Sequence, residues 1–253
     1  LKKFDGVVLT TIHRQADDSS IIEAGHRIIH GNMPARKDDF SIMMSAKPVE
    51  AVGEFVLDHL NDEVDFGGIH NQIITPTKVG WVGSIALNGS LQTLMQPSKK
   101  NYFEIERHKW EDEQYARVYE QDKVIFTVNN YDLGLFNGET GVITKLCDDG
   151  GITVDFGDKD VTIPVSMEVQ SRSGMYYYNP QKNLELAYAI TTHKSQGSEY
   201  ERVLYVMNSS RSFLLNRKNF YTGISRARKH VTVITDQKAL SASLNKRGDQ
   251  RTY

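Results

Sequence analysis

One cysteine, Cys147, stands among 253 residues, so no internal disulfide can form and no thiolate cluster can hold a metal. That usage fits a reducing compartment, and a cytoplasmic location is the expectation. Apolar runs are short. None reaches the roughly 20 residues a membrane helix needs, so no membrane partner is expected. The first residue is Leu1, with no signal-peptide layout behind it, which leads us to expect a piece of a longer chain. None of the 19 glycines is followed by lysine, and the phosphate loop G-x-x-x-x-G-K-[ST] is therefore missing. The pairs Asp62-Glu63 and Asp112-Glu113 do not close apolar strands, so neither reads as a magnesium-binding acid of a nucleotide motor. No repeat or low-complexity tract is present.

What remains is ordinary globular composition, 39% hydrophobic and 25% charged, with a formal net charge of −2. The average hides a gradient. From Arg202 to Thr235 there are seven Lys or Arg and no acid, while from Asn101 to Asp122 seven acids face three basic residues. Such runs are usually solvated faces, but the basic one overlaps a motif described below.

Three regions follow one another. In the first, Ser19 and Ser20 are helix caps before Ile21, Ile22, Ile28 and Ile29, with Gly31 and Pro34 closing that helix. Val49, Val52, Val56 and Leu60 recur at helical spacing behind Pro48. A strand over 69–75 stops at Pro76, and Val82, Ile85, Leu91 and Leu94 predict another helix. The middle region changes to short β-branched runs over 124–128, 141–146, 152–156 and 161–165. Asn129-Asn130, Asn137-Gly138, Asp149-Gly150-Gly151 and Gly157-Asp158 supply turns between them. So many short strands predict a small β-barrel. The last region returns to α/β alternation, with compact strands over 186–191, 203–207 and 231–235 and a helix capped by Asp236. The predicted architecture is an α/β parallel sheet interrupted by an inserted barrel, divided as 1–122, 123–183 and 184–253.

Two segments carry chemistry. Leu186 to Glu199, LAYAITTHKSQGSE, runs a buried strand into a polar loop, where α/β sheets place ligands. Gly197 would admit a phosphate close to backbone, and His193 and the hydroxyls can donate to its oxygens. Asn219 to Lys229, NFYTGISRARK, puts Arg226 and Arg228 at the C-terminal turn of a helix, and Arg is suited to bidentate phosphate contact. Either feature alone has a bland reading, as a structural loop or as charge complementing a helix dipole.

Together, HKSQGSE and YTGISRAR resemble the fifth and sixth signature motifs of superfamily-one helicases, in particular the RecD-like branch (the exodeoxyribonuclease V alpha-subunit type). Ile12-His13-Arg14-Gln15 resembles the fourth motif, and Ile74-Thr75-Pro76-Thr77-Lys78 with Leu87-Asn88 the segment after it. Asn129-Asn130-Tyr131-Asp132 with Phe136-Asn137-Gly138-Glu139 resembles the opening of the family's inserted barrel, which is of the Src-homology-three kind. The stretch 99–121 has no counterpart we can name. This resemblance implies the C-terminal RecA-like half of an ATP-dependent, 5′-to-3′ DNA helicase acting in repair and recombination. ATP and Mg would be held mainly by an N-terminal RecA-like domain of the same parent, and this portion alone would be inactive. It implies that Arg14 and Arg226 reach the γ-phosphate, that Gln15, Gly197 and Glu199 line the nucleotide cleft, and that Arg228 forms a supporting ion pair. Thr75, Lys78, Asn88, Thr191 and His193 would hold the backbone of single-stranded DNA. Partners would then be that DNA, the N-terminal domain and further helicase or nuclease subunits. Rival readings are a non-catalytic nucleic-acid adaptor and the motor of a Pif1-like or relaxase helicase. His26 and His30 are expected to be non-ligands, and Trp81, Trp110 and Tyr176 to Tyr178 are expected to pack in core or barrel.

Overall fold

Helix α1 (Ser20–Ile29) starts where expected: the Ser19 hydroxyl accepts from the Ile21 N–H at 3.2 Å. The structure, a computed structural model, describes residues 19–59, 65–96, 101–106, 115–171 and 174–248. Strand β1 (Phe40–Met44) follows, then α2 (Pro48–Asp58), whose proline sits in the first turn, where no N–H is needed. Strand β2 (Asn71–Thr75) is buried along its whole length and leads through a loop to α3 (Ser84–Met95).

The chain then leaves this layer. Hairpin β3 (Tyr102–Glu106) and β4 (Tyr115–Tyr119) precedes β5 (Lys123–Phe126), β6 (Thr140–Leu146), β7 (Ile152–Asp155) and β8 (Asp160–Ile163). A second hairpin, β9 (Met167–Ser171) with β10 (Gly174–Tyr178), and a 3-10 turn lead to β11 (Leu184–Leu186). An antiparallel sheet in the order β11-β5-β6-β7-β8 results. Val124, Phe126, Ile143, Ile152, Val154 and Ile163 fill its interior, and Ile105 and Val118 of the first hairpin close it. This is the small barrel the turn signals predicted, inserted into an α/β parallel-sheet fold.

After β12 (Ala189–Thr191) come β13 (Tyr200–Met207), α4 (Arg217–Ile224), β14 (Ala227–Thr235) and α5 (Gln237–Asn245), the last capped by Asp236. The main sheet is all parallel in the order β1-β14-β13-β2-β12. Alternation along β13 serves both faces. Val203, Tyr205 and Met207 meet α1, α4 and α5, while Leu204 and Val206 meet α2 and α3.

One predicted strand is in fact two. Residues 186–191 read as a single apolar run, yet Leu186 pairs with Val124 in the barrel and Ala189 pairs with Ile73 in the parallel sheet. The corner between them is made by side chains distant in sequence. Gln72 Nε2 donates to the carbonyls of Ala187 (2.9 Å) and Tyr188 (3.1 Å), and Asn88 donates to those of Leu186 (2.9 Å) and Ala189 (3.0 Å). Buried backbone groups at the corner are thereby satisfied.

Candidate functional site

The site is organised by one eight-residue connection. Thr191 pairs with Thr75, the last residue of β2, so residue 192 leaves at the C-terminal end of the sheet. Tyr200 begins β13 beyond the level of Asn71, the first residue of β2. Residues 192–199 therefore run back along the length of β2, roughly 13 Å at about 3.3 Å per residue. Their path is held by Ser195, fully buried, whose hydroxyl donates to Thr192 O at 2.8 Å and whose N–H donates to Thr191 O at 3.0 Å.

At the C-terminal end, the Thr192 N–H donates to Thr75 O at 2.8 Å, so the loops after β2 and β12 lie side by side. Lys78 and His193 are exposed there, and Thr191 is half-buried, its hydroxyl accepting from the Lys194 N–H. Thr75 and Asn88 stand differently from the other members of the expected set. The Thr75 hydroxyl is buried and donates to Val82 O at 2.7 Å. The Asn88 amide is engaged on both sides with the 186–189 corner, also accepting from Ala189 N–H at 2.7 Å. A side chain so engaged shapes the loops and offers nothing to solvent.

At the opposite end, Gly197 adopts φ +90°, a left-handed turn costly for any residue with a Cβ. Tyr200 N–H donates to Arg226 O at 2.9 Å, and the Arg226 guanidinium reaches Ser198 O at 3.5 Å and Thr222 O at 3.2 Å. Burial pushes the Tyr200 phenol up to about 12, so it stays a neutral partner beside Arg226. The YTGISRAR glycine has its own reason. A Cβ on Gly223 would stand 2.1 Å from the Tyr205 ring, so α4 lies directly on β13 and carries Arg226 against the 197–199 turn. Arg14 and Gln15, expected at this end, lie outside the described residues.

Several expectations are corrected. Helix α4 ends at Ile224, so Arg226 stands just past it and Arg228 is on β14, not on a helical turn. Arg228 pairs with Glu199 at 3.6 Å, and Lys229 with Glu201 at 2.8 Å. Arg217 closes carbonyl ends of α1 and α5 through Ile29 O and Leu244 O. The basic run is therefore largely partnered by acids and carbonyls from neighbouring elements, not a bare cationic face. Trp81, expected in a core, is 77% exposed, as are Tyr176 and Tyr177 in large part. Trp110 lies outside the described residues. His30 Nδ1 sits 2.7 Å from His26 O, serving the end of α1.

Between this connection and the barrel opens a cleft of about 1140 Å³, lined by His193, Gln196, Gly197 and Arg228 on one side and Asn137 and Glu139 on the other. Sequence reasoning missed the joint behind it. Lys123 is fully buried and donates through Nζ to Asn71 O at 2.6 Å, tying β5 to β2. Beside it the buried Asp122 carboxylate accepts from Tyr188 OH at 2.8 Å, Gln92 Nε2 at 2.6 Å and Tyr119 N–H at 2.9 Å. Adjacent charges in a strand start read as surface, so only their distant partners identify them.

Two family models match the chain: the UvrD-like helicase C-terminal domain over residues 186–234, and the ATP-dependent RecD-like DNA helicase SH3 domain over residues 87–156. The second includes the 99–121 stretch that had no recognised counterpart. Among curated relatives, the ATP-dependent RecD2 DNA helicase of Deinococcus radiodurans is 30% identical over 222 residues, covering 88% of this chain and 27% of that protein. The RecBCD enzyme subunit RecD of Mycolicibacterium smegmatis is 30% identical over 129 residues, 51% of this chain and 20% of that one. The chain thus spans about a quarter of the length of these relatives. Among solved structures, Pif1 helicase from Bacteroides in complex with ADP-AlF3 and ssDNA aligns with a TM-score of 0.55 at 18% identity, covering 92% of this chain and 53% of that one. Pif1 helicase from Candida albicans aligns with a TM-score of 0.55 at 15% identity, covering 92% and 57%. At such identities the likeness speaks for the fold alone.

Proposed function

Because the chain corresponds to the C-terminal region of the RecD-like superfamily-one helicases, we propose that it is the second motor portion of an ATP-dependent DNA helicase. In this reading 1–122 and 184–253 supply the RecA-like body and 123–183 the inserted barrel, with the expected bounds moved at both ends, since hairpin β3-β4 packs into the barrel core and Leu184–Leu186 is one of its strands. Arg226, with Arg14, faces the γ-phosphate of a nucleotide bound mainly by an N-terminal domain. Gln15, Gly197 and Glu199 line that cleft. The charged groups at this end fit phosphate and not its metal: the Arg226 guanidinium lies against the 197–199 turn, while Glu199 is held to Arg228. When bound, the nucleotide supplies the hydrolysis free energy. This chain's own part is to lay a guanidinium against charge developing on the transferred phosphoryl group. Alone, without a phosphate loop, it would turn over no ATP.

Thr191, His193 and Lys78 would hold the sugar-phosphate backbone of single-stranded DNA, with Thr75 and Asn88 positioning the loops that carry them. Backbone contacts ignore sequence, as a translocating motor requires. Movement 5′-to-3′ and assembly with further helicase or nuclease subunits belong to the same reading and rest on the family resemblance. The observation that carries the proposal is the 192–199 connection. It joins the His193 end to the Arg226 end along one strand length, with its middle locked by Ser195.

The test is differential failure in the full-length protein. Arg226→Ala should lower kcat for DNA-stimulated ATP hydrolysis by on the order of 10³-fold and leave DNA affinity nearly intact. His193→Ala should weaken single-stranded DNA binding alike on all sequences and spare basal hydrolysis. Equal loss of DNA affinity in both, with ATP turnover unchanged, would favour a non-catalytic adaptor.

A further inference from the structure

Between β2 and α3 the loop is tied at nearly every position. Ser84 N–H donates to Thr77 O at 3.0 Å, Ile85 N–H to Lys78 O at 3.1 Å, and Gly83 N–H to Gly80 O at 2.9 Å. The Thr77 hydroxyl donates to Val79 O at 2.7 Å, and that of Thr75 to Val82 O. Val82 is buried, and a Cβ on Gly83 would stand 2.5 Å from the backbone of Val79, so the two limbs of the loop touch. On this fixed base Trp81 stands 77% exposed, flanked by the exposed Val79 and Ile85. Leaving an indole in water forgoes the burial that large aromatics normally contribute. A loose loop would let the ring fold back, and this loop is not loose.

The sequence that carries the ring is one-sided in charge. No Asp or Glu occurs between Asp65 and Glu104, nor between Leu186 and Ser198, the two stretches that supply this loop and its neighbour. Lys78 and His193 are exposed on them, while Lys194 is held by Glu185 at 2.7 Å. A surface for a protein partner has no need to exclude carboxylates, whereas a polyanion does. An exposed aromatic ring on a segment that carries a lysine and no carboxylate has the combination that binds single strands, a base on the ring and phosphate on the lysine.

We propose that Trp81 is a stacking platform for one base of a single strand whose backbone runs past Lys78, Thr191 and His193. The proposal deepens the nucleic-acid half of the function proposed above and rests on it. Every base has a π-face, so the contact adds grip and no sequence preference.

The experiment measures anisotropy of labelled oligo(dT), and of an abasic strand of equal length, with the 253-residue chain at fixed salt. Trp81→Ala should weaken oligo(dT) binding by roughly 5- to 150-fold and leave abasic binding unchanged, and Trp81→Phe should retain most of the affinity. Being exposed, the substitution should leave the thermal midpoint in place. A second readout uses Trp110→Phe, which leaves Trp81 as the sole tryptophan of the two present. Its fluorescence should be quenched by oligo(dT) and not by the abasic strand. Equal loss on both strands, or none on either, overturns the stacking role while leaving the backbone reading intact. If Trp81→Ala spares oligo(dT) but abolishes binding to an N-terminal motor portion, the surface docks protein and the proposal is wrong. If the unaltered chain binds neither strand, the nucleic-acid reading fails, and this one with it.

Discussion

Replacing Lys123 by methionine should stabilise the protein at pH 7 and destabilise it near pH 9.5. Burial brings the Lys123 ammonium down from 10.5 to about 7, against the opposing pull of Asp65. An unfolded chain holds that proton until pH 10.5, while the folded one releases it near 7. The unfolded state thus binds more protons throughout the interval, and stability rises with pH across it and is level below it. At about 1.36 kcal/mol per pH unit, the full swing is on the order of 5 kcal/mol, of which about 4 kcal/mol is still outstanding at pH 7. Methionine removes that term but strands Asn71 O, now paired with Nζ at 2.6 Å, at a cost of about 1–3 kcal/mol. The net gain at pH 7 is about 2 kcal/mol, and at pH 9.5 the sign reverses. Urea unfolding of both proteins at the two pH values decides it. Tyr188, Tyr200 and Tyr205, all raised by burial, are common to both and cancel in the difference. A wild-type minus variant difference identical at pH 7 and 9.5 would refute the reasoning.

Asn88→Ala should cost about 2–4 kcal/mol in chemical denaturation, since it strands several buried backbone groups at the 186–189 corner, and should weaken single-stranded DNA binding because His193 follows that corner. Wild-type affinity in a demonstrably folded variant would separate Asn88 from the loop. Gly197→Ala, at φ +90°, should cost about 1 kcal/mol in stability but a disproportionate loss of ATP turnover in the full-length protein. Matched small losses in both would leave Gly197 a turn residue and nothing more.

How much of this was legible beforehand depended on whether the cause was local. The barrel strands were, because Asn137-Gly138 and Asp149-Gly150-Gly151 punctuate β-branched runs and turn chemistry acts over a few residues. The α1 and α5 caps were legible for the same reason. Strand β1 was not, since its exposed Met43 and Met44 give no alternation. Hairpin β9-β10 escaped because Tyr176 and Tyr177 face solvent, and aromatics are ordinarily buried. The break at Ala187 and Tyr188 depends on Gln72 and Asn88, roughly a hundred residues upstream. The contrast between Thr75 or Asn88 and Lys78 or His193 was likewise hidden. A motif fixes which residue stands at a position, whereas the neighbours decide which way its side chain points. The basic run misled in a simple way, for Glu199 and Glu201 lie just before it in sequence yet directly beside it across β13 and β14.

Helix α3 has a further consequence for how much change the inserted region tolerates. Asn88 holds the point where the backbone re-enters the parallel layer, and Gln96 follows the end of the same helix where the backbone departs, about two turns away. Some ninety residues of hairpin and barrel therefore hang from a stalk whose two ends are neighbours. An excursion that begins and ends in one place can lengthen, shrink or be exchanged without re-registering any strand it leaves behind. Insertions or deletions in the appendage should accordingly leave the parallel sheet beneath it in register.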